Sequence, residues 1–215
     1  ERLKRKYSNQ IKIERKTFEE CTDAIMRQVD EIGRMVNEFS SFARMPAPEF
    51  KNENLKDIVN EAYLMQSQVY NNITFKIHLP KSSVDVLCDR QQVVRALANI
   101  IQNAAEAIIG DAKHKIGGLI SVKLFSKNSK ATIVVEDNGP GLPYGVESKL
   151  TEPYVTTREK GTGLGLAIVK KIMEEHQGTL TIENCLSSGA KSTLTFFSQN
   201  DEFIYKKTLI DSAAE

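Results

Sequence analysis

The sequence predicts an α+β protein in which a long amphipathic helix precedes a domain of helices and strands. Apolar residues recur every seven positions between residues 17 and 43, a pattern typical of helical bundles and coiled coils. Pro46 and Pro48 end that helix, and helical and period-two patterns then follow one another. We therefore expect a partial helical hairpin at 1–45, a linker at 46–50, a mixed domain at 51–198 and a polar tail at 199–215.

Composition and charge narrow the classes of function. The chain has 29 Lys and Arg against 28 Asp and Glu, and this net charge of +1 does not favour nucleic acid as a partner. The three cysteines lack metal-ligand spacing, which favours structural thiols in a reducing cytoplasm. No apolar run approaches membrane-spanning length, so we expect no membrane contact by these residues. The chain begins without Met inside a charged helical pattern, and we expect it to be part of a longer protein.

The apolar stripe of the first helix predicts a dimer. Phe18, Ile25, Ile32 and Phe39 form one row at heptad spacing, and a second row lies beside it. A two-helix hairpin cannot bury such a stripe alone, so we expect a homodimer through residues 1–45 that forms a four-helix bundle. Packing of the stripe against the rest of the chain is the alternative.

The mixed domain is predicted from its alternating patterns. Helical patterns cover 55–70, about 90–109 with Asp89 as N-cap, and 162–176. The irregular segment 138–161 is typical of a functional loop or lid. Strand patterns occur at 73–79, 84–88, 119–125, 131–136, 179–183 and 191–197.

One predicted helix carries an unusual set of polar side chains. Asn99, Asn103 and Glu106 are spaced by four and three residues, so they share a face opposite the apolar one. Asn is a poor helix former, and an amide oxygen is a ligand that Mg²⁺ accepts beside nucleotide phosphates. A solvated polar face is the alternative for this helix considered alone.

A carboxylate and a glycine turn follow an apolar strand. Asp137 ends the strand and can accept a hydrogen bond from a purine amino group. Gly139 and Gly141 come directly after it and let a flat base approach the backbone. An ordinary turn is the alternative here.

A second glycine segment has the character of a phosphate site. Gly161, Gly163 and Gly165 open a helix, whose N-terminal N–H groups favour phosphate, and Arg158 and Lys160 can neutralise phosphate charge. The spacing differs from a dinucleotide fingerprint, and the lysine of a P-loop is absent. Taken in this order, the three segments predict an ATP site.

Five segments in this order resemble the sequence boxes of sensor histidine kinases. The similar segments are Asn99–Ala107 for the N box, Asp137–Gly141 for G1, Glu152–Thr157 for F, Gly161–Gly165 for G2 and Ser188–Ala190 for G3. Together they span about half of the chain, which makes the combination highly specific.

The first helix carries a further resemblance. Residues 17–45 and their exit, Glu38–Pro46, look like the second dimerisation helix and linker of nitrogen-regulation kinases of the NtrY type. The resemblance as a whole implies a Bergerat-type (GHKL) α/β sandwich, in which helices back a mixed sheet and ATP lies under a mobile lid.

The resemblance also implies roles for individual residues. Asn103 would ligate Mg²⁺, with Asn99 and Glu106 close to the metal and the phosphates. Asp137 would bind the adenine amino group in a pocket shaped by the glycines of its turn, Gly139 and Gly141. The remaining residues implied at the nucleotide are Thr156, Thr157, Gly161, Thr162, Gly163, Leu164 and Gly165.

The implied reaction is transfer of the ATP γ-phosphoryl group to a histidine and then to an aspartate of a response-regulator receiver domain. The family's acceptor lies in a His-Glu-x-x-Asn-Pro-like segment, and neither His78, His114 nor His176 has that context. We therefore expect the acceptor upstream of residue 1 and a helix-capping role for His176. The resemblance further implies a cytoplasmic location, in a protein anchored in the inner membrane. The catalytic residues expected are Asn99, Asn103, Arg158 and Lys160.

Two other functions remain open. An ATP-hydrolysing relative of the gyrase, Hsp90 or MutL kind carries a glutamate four residues before the metal-binding asparagine, and Asn99 at that position disfavours hydrolysis. A regulatory module that binds nucleotide or a partner helix without catalysis is the second alternative, and the complete set of boxes argues against it.

Overall fold

The computed structural model describes residues 2, 7, 15–111, 117–128, 130–143, 145, 149–156, 161–185 and 188–197. The predicted tail at 199–215 lies outside this set. None of the described helices is long and apolar enough to cross a bilayer. The helices are α1 (Arg15–Ala43), α2 (Leu55–Val69), α3 (Arg90–Gly110) and α4 (Gly165–Glu175). The strands are β1 (Lys51–Asn54), β2 (Thr74–His78), β3 (Asp85–Cys88), β4 (Leu119–Lys127), β5 (Lys130–Asp137), β6 (Thr179–Asn184) and β7 (Ala190–Phe197).

A five-stranded mixed sheet forms one layer of the domain. Its strand order is β2-β4-β5-β7-β6, with β2 parallel to β4 and the other neighbours antiparallel. β1 and β3 pair separately as a short antiparallel ladder. The combination of a mixed sheet and packed helices confirms the predicted α+β sandwich.

α3 is the central helix of the second layer. It packs against α2 on one side and α4 on the other, and it also contacts β4 and β5. Its amphipathic pattern explains this position, because an apolar stripe at helical spacing must face the sheet. The predicted apolar face is buried as expected: Val94, Leu97, Ile101, Ala104, Ala105 and Ile108.

Two local predictions differ from the structure. β1 was not predicted, because its sequence Lys-Asn-Glu-Asn contains no apolar residue and its strand conformation depends on pairing with β3. α4 begins at Gly165 rather than at Thr162, since Gly163 has a φ of +70° and a left-handed residue cannot belong to an α-helix.

α1 leaves most of its apolar stripe in solvent. Ile25, Val29, Ile32 and Val36 are each more than half exposed, and Phe39 is 48% exposed. Among the described side chains of this segment, those that pack on the domain core are Phe42, in the last turn of α1, and Met45, just after the helix. Packing against the domain therefore does not account for the central part of the stripe.

The linker is attached to the first turn of α3. Gln92 Nε2 donates to the carbonyl of Pro46 at 3.0 Å, and the Glu49 N–H donates to Asp89 Oδ2 at 2.9 Å. Asp89 is also the N-cap of α3, as predicted, because its Oδ1 accepts from the Gln92 N–H at 3.0 Å. One carboxylate thus joins the linker to the helix that carries the amide pair.

Candidate nucleotide site

The amide pair of α3 lies against the start of α4. Asn99 Nδ2 donates to the carbonyl oxygen of Gly165 at 3.4 Å, across 66 positions of sequence. A Cβ placed on Gly165 would lie 3.6 Å from Asn103 Nδ2, so Asn103 also lies in van der Waals reach of the first residue of α4. Glu106, one turn further along α3, accepts from Gln102 Nε2 at 2.8 Å. The structure therefore brings the predicted metal ligand and the glycine segment together.

Asp137 is held in place by backbone donors from two segments. Its Oδ1 accepts from the N–H of Gly139 at 2.8 Å and from the N–H of Ala190 at 3.2 Å. A Cβ on Gly139 would lie 3.5 Å from Ile108 Cγ1, which brings this turn close to α3. The carboxylate predicted to bind the adenine amino group is therefore fixed in orientation, at the end of β5.

Gly189 packs directly on the backbone of that turn. Its φ is +89°, and a Cβ there would overlap the carbonyl oxygen of Asp137. The neighbouring Ser188 donates from Oγ to the carbonyl of Gly139 at 2.8 Å. The last sequence box therefore supports the turn that follows Asp137, and Ser188 strengthens this contact with a hydrogen bond.

Asn184 is a supporting residue that the sequence did not indicate. Its Oδ1 accepts from the Leu142 N–H at 2.6 Å, and its Nδ2 donates to the Leu142 carbonyl at 3.3 Å. Gly141 lies beside it with a φ of +80°, and a Cβ there would lie 2.5 Å from the same amide oxygen. Asn184 thus ties the end of β6 to the loop that leaves the predicted adenine pocket.

The glycine segment before α4 is packed on the predicted F box. The Tyr154 N–H donates to the carbonyl of Gly163 at 3.1 Å. A Cβ on Gly163 would lie 2.6 Å from the carbonyl carbon of Tyr154, so the close approach requires glycine as well as a positive φ. Thr156, two residues after this contact, is exposed.

The first turn of α4 has no side-chain cap from its N-cap residue, Leu164. Free N–H groups at a helix N-terminus attract anions, and this terminus lies beside Asn99 and Asn103. Thr157, Arg158 and Lys160, which the sequence predicts at the phosphates, lie outside the described residues. The part of the site that the structure describes therefore provides backbone donors and amides.

The donor set suits a metal that arrives with a nucleotide. Among the described residues, no group of three or more His, Cys, Asp or Glu is arranged to hold a metal ion. Mg²⁺ commonly takes only one or two protein ligands and completes its shell with phosphate and water oxygens. The Asn103 amide beside the start of α4 fits that requirement.

His176 has a structural environment. It lies at the C-cap of α4 and is 8% exposed. Its Nε2 accepts from the Asp89 N–H at 2.9 Å, and its Nδ1 lies 2.8 Å from the Ile172 carbonyl, so the partners assign a neutral ring with the proton on Nδ1. Burial lowers the pKa of His176 below its ordinary value. The predicted capping role is confirmed. His78 lies on β2, and His114 is outside the described residues.

Comparisons with known proteins show the family. The sequence model of the family described as histidine kinase-, DNA gyrase B-, and HSP90-like ATPase matches residues 88–200. The nitrogen regulation protein NtrY of Azorhizobium caulinodans is 45% identical over 185 residues, which cover 86% of this chain and 24% of that protein. A putative sensor histidine kinase NtrY-like of Rickettsia bellii is 39% identical, over 91% of this chain and 31% of the relative.

Solved structures show the same fold. The catalytic domain of histidine kinase ThkA superimposes with a TM-score of 0.62 at 29% identity, over 70% of this chain and 96% of that domain. ThkA in complex with the response regulator TrrA gives a TM-score of 0.67 at 23% identity, over 86% of this chain and 53% of the other. The chain spans about a quarter to a third of the length of the curated relatives named above. It belongs to the histidine kinase-, DNA gyrase B- and HSP90-like ATPase family, and within it to the catalytic ATP-binding region of sensor histidine kinases.

Proposed function

We propose that the chain binds Mg²⁺-ATP between α3 and the start of α4 and transfers the γ-phosphoryl group to a histidine. The contact between Asn99 and Gly165 carries this proposal, because it joins the amide pair to the N-terminus of a helix. Asp137 and its glycine turn lie at the other end of the site and would receive the adenine. When bound, Mg²⁺ would neutralise phosphate charge with Asn103 as its protein ligand.

Transfer rather than hydrolysis fits the side chain at position 99. An amide cannot take a proton from water, so Asn99 cannot serve as the general base that hydrolysis needs. A neutral imidazole is already a nucleophile, and its phosphorylation depends on positioning and on charge neutralisation. Arg158 and Lys160 would assist by stabilising the transferring group. We propose that the acceptor histidine lies upstream of residue 1.

The partners proposed are a second copy of the chain and a response-regulator receiver domain. The exposed apolar stripe of α1 supports a homodimer through residues 1–45, because a second helical hairpin would cover it. The solved complex of ThkA with the response regulator TrrA supports the receiver domain. We also propose the domain limits 46–50 for the linker and 51–198 for the catalytic part, with the intact protein anchored in the inner membrane and this part in the cytoplasm.

Substitution of the proposed metal ligand tests the function. Asn103→Ala should abolish Mg²⁺-dependent ATP binding in calorimetry, because the substitution removes the amide oxygen. In a longer protein that includes the preceding residues, the same change should abolish acid-labile labelling by γ-labelled ATP. Asn60→Ala, the same change at an exposed position of α2, should leave both unchanged.

The outcomes separate the proposed function from its alternatives. Unchanged ATP affinity in Asn103→Ala would sink the assignment of the metal ligand. Release of inorganic phosphate without labelled protein would favour an ATPase, and ATP binding with neither product would favour a regulatory module.

A further inference from the structure

α1 touches the glycine segment before α4 at one side chain. Glu38, near the end of α1, accepts a hydrogen bond at Oε2 from Thr162 Oγ1, although the two residues are 124 positions apart. Four residues further along α1, Phe42 lies under Lys171 of α4, with Nζ 5.4 Å from the ring centroid. The end of α1 is therefore seated on α4 and on the loop that leads into it.

The Thr162 hydroxyl serves two partners at once. It donates to Glu38 and accepts from the Leu164 N–H at 3.4 Å. That N–H lies at the N-terminus of α4, where backbone donors would otherwise be available to an anion. The contact with Glu38 fixes the direction in which the hydroxyl donates, and so leaves its lone pairs directed toward the backbone of the loop.

We propose that Glu38 is a positioning residue that weakens the binding of nucleotide phosphates at the glycine segment. This inference rests on the proposed function, because it takes residues 161–165 as the phosphate site. The bond to Thr162 holds a carboxylate beside a loop that is to receive a polyanion, and like charges repel. The bond also keeps Thr162 on a backbone N–H that a phosphate could use.

The coupling acts in both directions. If the Glu38 contact weakens phosphate binding, then bound phosphate weakens the Glu38 contact by the same factor. Occupation of the nucleotide site therefore loosens the end of α1 from α4. Phe42 and Met45 continue to pack on the domain core, so the helix is loosened at its polar contact and stays attached at its apolar one.

The test compares two glutamates on the same helix. Glu38→Gln keeps a hydrogen-bonding side chain and removes the charge, while Glu31→Gln makes the same change one heptad earlier. We expect Glu38→Gln to bind Mg²⁺-ATP roughly threefold to tenfold more tightly in calorimetry at low salt. The gain should be smaller for ADP, smaller again for AMP, and reduced for all three in high salt. Glu31→Gln should behave as the unsubstituted chain does.

A second variant ties the effect to Thr162. In a Thr162→Val background the hydroxyl is gone, and Glu38→Gln should then change ATP affinity much less than it does in the unsubstituted chain. An unchanged ATP affinity in Glu38→Gln overturns the proposal, and so does an equal gain for ATP, ADP and AMP, which a structural role would give. Absence of ATP binding in the unsubstituted chain refutes the proposed function itself, which separates the two failures.

Discussion

α1 and the catalytic part differ in how far their apolar side chains are exposed to solvent. Between β1 and β7 the helices and the sheet bury their apolar side chains against one another, and Leu55, Leu97 and Leu194 have no exposed surface. On α1, by contrast, Ile25 and Val29 are 62% and 61% exposed. The catalytic part therefore has a core of its own, whereas the apolar stripe of α1 lies uncovered in this chain, as the proposed homodimer requires.

The largest expected effect is a loss of stability caused by a substitution in the catalytic part. Gly189→Ala should lower the free energy of unfolding by about 3 kcal/mol, because its positive φ is strained for alanine and the added Cβ would overlap the Asp137 carbonyl. Urea unfolding followed by circular dichroism measures the change. Gly110→Ala is the matched control, since a Cβ there meets nothing within 4 Å. Equal stability of the two variants would contradict the close packing of Gly189 on the backbone of Asp137.

A smaller effect, on self-association, is expected from a substitution in α1, and it should leave nucleotide binding unchanged. Ile32 is 57% exposed, and Ile32→Lys should weaken self-association by about tenfold or more, because the side chain would lose its apolar contacts in a dimer. Sedimentation equilibrium measures the association, and ATP affinity should stay unchanged. Asp30→Lys introduces the same residue on the other side of the helix and should alter association less. A chain that is monomeric at every concentration before substitution would remove the basis for this dimer.

The smallest expected effect is a pH dependence of stability that comes from His176. The Phe50 ring of the linker lies 5.1 Å from the His176 ring, so this histidine lies where the linker meets the catalytic part. Because the pKa of His176 is lowered on folding, the unfolded chain binds a proton there that the folded chain does not. This contribution to stability should be complete above the ordinary histidine pKa and should decline as pH falls through and below it, by at most about 1.4 kcal/mol per pH unit.

Unfolding midpoints in urea between pH 5 and pH 8 measure that decline. His176→Gln should flatten the profile, since glutamine does not titrate and still presents polar atoms toward Asp89. A profile that keeps its slope in the variant would assign the pH dependence to other groups.

Sequence patterns could predict the parts of this fold that depend on local periodicity. The buried face of α3 and the strand that leads to Asp137 could be predicted because their residues repeat at helical or strand spacing. The N-cap at Asp89 could be predicted because aspartate is favoured just before a helical pattern. β1 was missed because nothing in Lys-Asn-Glu-Asn favours a strand. Its conformation comes from hydrogen bonding to β3, which no local pattern reports.

The candidate site likewise contains residues that the sequence could predict and residues that it could not. Asn99, Asn103 and the glycines were predictable because their types are unusual in their positions, and the structure brings Asn99 and Asn103 to Gly165. Asn184 was not predictable, because a polar residue at a strand end is ordinary until its contact with Leu142 is known. The contact of Glu38 with Thr162 joins distant parts of the chain and likewise needs the folded structure.

The attachment of the linker to α3 has a mechanical consequence. Pro46 and Glu49 are hydrogen-bonded to Gln92 and Asp89 at the start of α3. Counted from Gln92, Asn99 and Asn103 lie about 10 Å and 16 Å further along the same helix. Because all of these residues lie on one continuous helix, the linker contacts and the amide pair share a single rigid support. The chain that enters the domain is therefore held at a fixed distance from the amides proposed to face the phosphates.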